Sequence, residues 1–299
     1  MSISVIVPAT DAAPGLDRCL AALAVSEGVE HELVVVRDQD LRTPAAARNA
    51  GAVRASGDLL IFVDADVVVQ RDALALLVGA LDRDPGLAAV FGAYDDRPAG
   101  CGVASGFRFL LHHAVHVAGA GEAETFWSGL GAVRRSAFER VGGFDPQRRW
   151  LEDVDLGLRL RARGERILLD PRAQGTHLKE LTVGGMLRSD AFERALPWTE
   201  LLLEHRSGAG ALNLGARHRL QAALAVAAAG GLVLGRPRVS LAALAGFAAT
   251  DVPLIRLVAR VRGRREAALA VPLHVAHHLA GATGLAAGLV RSARQTPPR

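Results

Sequence analysis

Short runs of apolar, largely β-branched residues alternate with longer alanine- and leucine-rich stretches over the first 180 residues. Ile3 to Val7 closes at Pro8, Glu32 to Val36 runs into the polar Arg37-Asp38-Gln39-Asp40, and Leu59 to Val63 runs into Asp64-Ala65-Asp66. These short runs read as buried strands, the pattern of a sheet covered on both faces. Between them Gly15 to Val25 reads as a helix, and Ala45 to Ala55 has the alanine-rich character of one. Strand, helix, strand, helix predicts a doubly wound, mostly parallel α/β sheet. In such sheets ligands bind beyond the carboxyl ends of the strands. Asp64 and Asp66 stand just past one of those ends.

The pattern continues with a helix over Asp72 to Leu81, a strand over Ala88 to Ala93, and an apolar helix over Ser105 to Ala118 that carries His112, His113 and His116. After Trp127 comes the glycine-punctuated Ser128-Gly129-Leu130-Gly131, then a short strand and helix ending at Gly142-Gly143. Glu152 to Arg163 reads as a helix with acids in its first turn, where the macrodipole favours them, and Gly164 suits its C-terminal cap. Arg166 to Leu169 is the last strand expected, leading to His177.

Composition changes after about Asn213. Leu220 to Gly235 is sixteen residues without a charge, Arg236-Pro237-Arg238 interrupts, Val239 to Ile255 is apolar except for Asp251, and Leu269 to Val290 is uncharged but holds His274, His277 and His278. A helix crosses a bilayer core with about 20 apolar residues, so the first run is marginal. Two readings stay open: a hairpin embedded in or lying on a membrane, or a soluble helical cap. The expected organisation is a catalytic domain over 1–180, an amphipathic connection over 181–212 and hydrophobic helices over 213–299.

Charge adds a preference for anionic partners. The net charge of the 299 residues is +4, carried by arginine, since Lys179 is the one lysine. Arginine suits phosphate groups or an anionic membrane surface. Nucleic acid is not expected as a partner: there are one tyrosine and nine phenylalanines, and no basic run is interleaved with aromatics. Cys19 and Cys101 have neither the count nor the spacing of a disulfide framework or zinc site, which points to a reducing compartment. The first strand begins at once, without a basic leader or cleavage site, so a cytoplasmic N-terminal half is expected.

Two carboxylates spaced i, i+2 at a strand end can share a divalent cation, and oxygen ligands suit Mg2+ or Mn2+. Two solvated loop acids would look the same in isolation. The apolar strand leading into Asp64 and Asp66 favours the functional reading. His112 and His116 lie one helical turn apart and can ligate a metal or, without a third ligand nearby, pack or touch an acceptor. Arg134 and Arg135 suit either phosphate oxygens or surface ion pairs.

Five segments in order, Ser2 to Ala9 (SISVIVPA), Ala46 to Gly51 (AARNAG), Leu60 to Asp66 (LIFVDAD), Gly129 to Phe144 (GLGAVRRSAFERVGGF) and Leu151 to Leu160 (LEDVDLGLRL), resemble the family 2 glycosyltransferases over roughly residues 2–180. The resemblance implies the nucleotide-diphospho-sugar transferase fold and an inverting, metal-dependent transfer of a sugar from a nucleotide diphosphate to a hydroxyl of a lipid or glycan acceptor. It implies Asp153 as the catalytic base, with Glu152 raising its proton affinity or positioning the acceptor. Donor contacts fall on Pro8, Asp38, Arg48, Asp64 and Arg135, and the cation on Asp64, Asp66 and His177. His177 to Leu203 resembles a bacterial subgroup with hydrophobic C-terminal helices, which implies attachment at the cytoplasmic face of the cell membrane, with Arg188, Arg194 and Trp198 at the interface.

The chain departs from the family at Thr10-Asp11, where an asparagine is usual, and at Arg37-Asp38, where an acidic pair is usual. A sugar-phosphate nucleotidyltransferase is the rival enzyme, but Pro8 to Leu16 (PATDAAPGL) lacks a glycine-rich loop with Arg or Lys. A non-catalytic membrane scaffold keeping the fold is the rival of another class.

Overall fold

The computed structural model describes residues 1–9, 14–38, 40–205 and 214–295. Thr10-Asp11, Gln39 and the composition change expected near residue 213 lie outside them. The chain divides into two compact units, one formed by 1–99 and 112–179 and the other by 100–111 and 180–299.

The first unit is a single mixed sheet with helices wound around it. Its strands are β1 (Ile3–Pro8), β2 (Glu32–Val36), β3 (Leu59–Val63), β4 (Val67–Val69), β5 (Leu87–Tyr94), β6 (Gly121–Ala123), β7 (Leu130–Arg134) and β8 (Arg166–His177). They lie in the order β2-β1-β3-β7-β5-β8-β4, with β6 also on β8. β1 runs parallel to β2 and β3, and β5 parallel to β8, as the doubly wound pattern requires. The expectation of a mostly parallel sheet needs one correction: β7 is antiparallel to both β3 and β5, and β4 and β6 are antiparallel to β8. β4 and β6 are three residues each, too short to register as periodic runs. The last strand runs on from Leu169 to His177 through residues such as Pro171 and Gly175 that do not read as strand.

β3 is an inner strand between β1 and β7, with all five of its residues buried. Phe62 of β3 packs on Phe138 and Phe144, with ring centroids 5.7 and 5.0 Å away, which fixes the segment after β7 against the sheet. The helices of this unit are α1 (Leu16–Ala24), α2 (Pro44–Arg54), α3 (Ala73–Arg83), α5 (Arg135–Arg140) and α6 (Glu152–Ala162). Thr43 caps α2 by accepting the Ala46 N–H, and Pro44 occupies the first turn, where its missing N–H removes nothing. Helix α4 (Val103–Ala118) contributes its first half to the second unit and its second half to the first.

The second unit is helical: α7 (Val183–Arg188), a π-helical stretch (Ser189–Ala195), α8 (Leu196–His205), α9 (Ala216–Val233), α10 (Pro237–Arg262) and α11 (Arg264–Gln295). The three uncharged sequence runs fall within the last three helices. Buried polar pairs hold their register. His274 Nδ1 lies 3.0 Å from both carboxylate oxygens of the fully buried Asp251, and Asp190 is held by Arg108 at 2.9 Å and His277 at 2.8 Å. The Arg108 link, with bonds from Cys101 and Ser105 to Glu180, ties residues 100–111 to the rest of this unit. Among the described residues, α10 is the one helix long and apolar enough to cross a membrane.

Candidate active site

The carboxyl edge of the sheet collects the acidic motifs. β3 delivers Asp64 and Asp66 into a turn closed by the Val67 N–H donating to Asp64 O at 3.0 Å. β4 then pairs with β8 so that Val67 faces His177. That register brings His177 Nε2 to 3.7 Å from Asp66 Oδ2, although the two residues are far apart in sequence. Asp66 is raised above the ordinary carboxylate range, mainly by burial, with His177 opposing and Asp64 adding to the shift. His177 is pushed below its ordinary value by burial, against the pull of Asp66 and Asp64.

Arg48 is the hub. α2 turns it inward, where it is 4% exposed, and its guanidinium donates to Asp64 Oδ1 and Glu152 Oε1, both at 2.6 Å. A helix-surface arginine is therefore excluded: each terminal nitrogen gives one N–H to a carboxylate. Arg48 stays firmly charged, because Asp64, Glu152 and Asp153 outweigh burial. Asn49 locks the same helix to the turn before α6, donating to Phe144 O at 2.7 Å and accepting from Phe144 N–H at 3.0 Å.

Glu152 and Asp153 open α6 immediately after Leu151, whose φ of 59° is the left-handed conformation a leucine rarely adopts. That kink starts the helix at the acidic pair. Asp153 accepts from Ser128 N–H at 3.2 Å and Val154 N–H at 2.8 Å. Its carboxyl is pushed up to about 7, first by burial and then by Glu152, with Arg48 and the two N–H groups opposing.

An aromatic wall completes the edge. The ring of Tyr94 lies 4.8 Å from Trp127, 4.2 Å from His112 and 4.9 Å from His177. His112 and His116 pack ring to ring at 3.8 Å, and His116 Nδ1 pairs with Gly92 O at 3.0 Å. Burial pushes His116 down to about 4. Of the two uses open to this pair, the structure shows packing. Sequence reasoning gave Tyr94, Trp127 and Asn49 no role. The signals were there: a lone tyrosine at a strand end, a tryptophan opening a Ser/Gly turn, and an amide inside a helix, where it competes with the backbone.

The remaining expected residues divide. Pro8 ends β1, where Ala9 N–H donates to Val36 O at 2.8 Å. Asp38 is exposed after β2, and its Oδ1 accepts the Asp40 N–H at 3.0 Å as a turn acid does. Arg135 is a correction. Arg134 pairs with Leu59, the first residue of β3, so both arginines stand at the edge opposite Asp64. Arg135 donates to the carbonyls of Gly57, Ala52 and Ala55 at 2.7, 3.1 and 2.8 Å, and Arg134 to Leu87 and Leu81, so they tie loops together there. Cys19 is inert: burial pushes its thiol up to about 12.

The acidic edge offers carboxylate oxygens of the kind a divalent cation takes. Among the described residues no three His, Cys, Asp or Glu side chains form a ready metal cage. Two ligands of one ion at ~2.1 Å stand ~3.0–3.5 Å apart, so Asp66 and His177 are a few tenths of an ångström too wide. The Lys179 N–H donates to His177 Nδ1 at 3.0 Å, which puts the proton of a neutral ring on Nε2. Ligation through Nε2 requires the other tautomer. The carboxylates of Asp64 and Asp66 fit a cation of the magnesium type, which takes one or two carboxylates and completes its shell with water and substrate phosphate.

Part of the sheet and its flanking helices is similar in sequence to a known family. Residues 33–142 match the family described as Glycosyl transferase family 2. That segment is therefore similar to the family 2 glycosyltransferases. Pre-mycofactocin glycosyltransferases of two Mycobacterium tuberculosis strains, CDC 1551 / Oshkosh and ATCC 25618 / H37Rv, are each 29% identical over 201 residues, 58% of this chain. The chain spans 42% of the length of these curated relatives. Among solved structures, the mannosyltransferase PcManGT from Pyrobaculum calidifontis, in complex with GDP-Man and Mn2+, superposes with a TM-score of 0.59 at 20% identity, over 95% of this chain and 86% of that one. The match shows the nucleotide-sugar transferase fold.

Proposed function

We propose that the chain is an inverting, cation-assisted glycosyltransferase. The donor is a nucleotide-diphosphate sugar lying across the carboxyl edge of the sheet, near Pro8, Asp38 and Asp64. The acceptor is a hydroxyl of a lipid or glycan, and transfer takes place at the cytoplasmic face of the cell membrane. The free thiols of Cys19 and Cys101 accord with a reducing compartment.

The observation that carries this reading is the unequal treatment of neighbouring carboxylates. Arg48 neutralises Asp64 and Glu152 through direct hydrogen bonds, whereas Asp153 receives none from it and is pushed up to about 7. A base that takes a proton near neutral pH needs such a value. Asp153 removes the acceptor hydroxyl proton while that oxygen forms a bond to the anomeric carbon. The bond from that carbon to the phosphate oxygen breaks, and the nucleoside diphosphate leaves with the electron pair. A divalent cation on Asp66 and Asp64 would neutralise the charge developing on the leaving phosphates. Glu152 positions Arg48 and raises Asp153, and the Tyr94–Trp127 wall excludes water beside the base.

The test is a panel of nucleotide-diphosphate sugars scored by released nucleoside diphosphate, with Mg2+ or Mn2+ added and withheld. Metal-dependent release from one donor class supports the reading. No release from any donor, together with no nucleotide-dependent thermal stabilisation in the presence of metal, would favour the non-catalytic scaffold.

A further inference from the structure

The turn between α9 and α10 is turned inside out. All eight residues from Leu232 to Val239 are exposed, including Leu232 at 67%, Val233 at 86% and Leu234 at 70%, and Leu241 follows at 68%. Large aliphatic side chains gathered at a helix junction signal an interaction surface. The junction is held in shape from within. Ser240 Oγ donates to Ala228 O at 2.8 Å, Arg236 N–H to Gly231 O at 2.7 Å, and Gly235 takes the left-handed turn at φ 63°. The wedge is therefore preformed, and little ordering opposes its insertion.

Charge selects the occupant. Arg236 and Arg238 lie within the tip, between the aliphatic residues Leu232 to Leu234 and Val239 to Leu241, and no Asp or Glu occurs between Glu204 and Asp251. A second copy meeting this tip would press like charges together with no acid to offset them. An anionic bilayer supplies both an apolar interior for the aliphatics and phosphates for the arginines.

We infer that the α9–α10 tip is a lipid anchor that enters one leaflet of an anionic membrane without crossing it. The two arginines in the tip set the depth: they stay among the headgroups, so the aliphatics beside them enter only the outer part of one leaflet. The charge-free part of α10, Val239 to Thr250, is also only twelve residues, or ~18 Å at 1.5 Å per residue, against a hydrocarbon core ~30 Å thick. Beyond Thr250 come Asp251, fully buried among helices, and then Arg256, Arg260 and Arg262. The inference rests on the membrane part of the proposed function and not on its chemistry.

The experiment uses the full chain with Cys101→Ala, leaving Cys19 buried, and an environment-sensitive fluorophore on Val233→Cys or, as reference, on the exposed Val53→Cys. Vesicles are phosphatidylcholine with or without phosphatidylglycerol. The label at 233 should shift to the blue only with phosphatidylglycerol and be quenched by brominated lipid of one leaflet, while the label at 53 stays unchanged. L232D/V233D/L234D should lower vesicle partitioning more than tenfold with an unaltered circular dichroism spectrum. Arg236→Ser and Arg238→Ser should each lower it about fivefold. A chain that pellets with vesicles while label 233 stays unshifted, or a triple-Asp variant that binds like wild type, overturns the tip but keeps membrane attachment. Quenching of label 233 from the vesicle lumen overturns the one-leaflet depth. Self-association without lipid that the triple variant dissolves reassigns the tip to a second copy. Failure to pellet at all removes the tip and the membrane reading together, and leaves the donor panel to judge the chemistry.

Discussion

Replacing Asp153 with Asn should move rate and stability in opposite directions, which separates a base from a structural carboxylate. The side chain keeps its size and retains an oxygen to accept from Ser128 or Val154, so the start of α6 survives. Transfer should fall 10²–10⁴-fold, the range for loss of a general base, while nucleotide binding by thermal shift stays intact. Stability follows from the wild-type carboxyl being raised from 3.8 to about 7. A raised acid stabilises the fold fully below pH ~4, and that contribution fades as pH climbs to 7, because the folded state must then ionise a buried group. At ~1.4 kcal/mol per pH unit the ionised form costs at most ~4 kcal/mol. The amide escapes this cost but makes a poorer acceptor for two N–H groups. The variant should therefore be more stable than wild type by ~1–3 kcal/mol at pH 8, and the gain should shrink toward pH 5. Urea unfolding at both pH values measures this, alongside a wild-type pH–rate profile that rises through about 7. Full turnover in the variant, or a stability difference that does not change with pH, would refute the reasoning.

Arg48→Met removes the shared counter-charge of the half-buried Asp64 and the buried Glu152 and should cost about 3–5 kcal/mol, mainly the penalty of stranding Glu152, along with nearly all transfer; chemical denaturation reports the first. Arg135→Ala should cost about 1–3 kcal/mol through three orphaned carbonyls and leave the donor KM within about twofold. A large rise in KM would return that arginine to the donor site. Gly157→Ala places a methyl 2.3 Å from the Phe126 nitrogen, where α6 meets the backbone before Ser128, and should lower Tm by an amount equivalent to about 1–3 kcal/mol or more. A Tm equal to wild type would show that α6 and the Thr125–Phe126 backbone can part freely.

The strand-end acids and the helical core of the chain were legible because each depends on neighbours in sequence. An apolar run predicts β3, and whatever follows it lands at the carboxyl edge, so Asp64 and Asp66 are placed by counting. Glu152 and Asp153 were legible as a helix start for the same reason. The left-handed Leu151 that aims them was not, because leucine carries no signal for that conformation. His177 comes beside Asp66 only through the pairing of Val67 with His177, and β4 is too short to show a period.

The two arginines show where such reading stops. Arg48 and Arg135 look alike in sequence, each in an alanine-containing helical segment and within a quoted motif. One becomes the electrostatic hub and the other a loop clamp, and the difference lies in strand direction. Had β7 run parallel to β3, its end would lie at the Asp64 edge and Arg135 would face the phosphates. The antiparallel register, Arg134 against Leu59 and Leu130 against Val63, carries Arg135 to the far edge and brings Gly129 to Asp64 instead, where its carbonyl accepts the Asp64 N–H at 3.2 Å. The same reversal places Ser128, the residue before, at the functional edge, where its N–H reaches Asp153. One strand direction, which the apolar pattern of Leu130 to Arg134 does not encode, therefore removes an arginine from the site and supplies a hydrogen bond to the base.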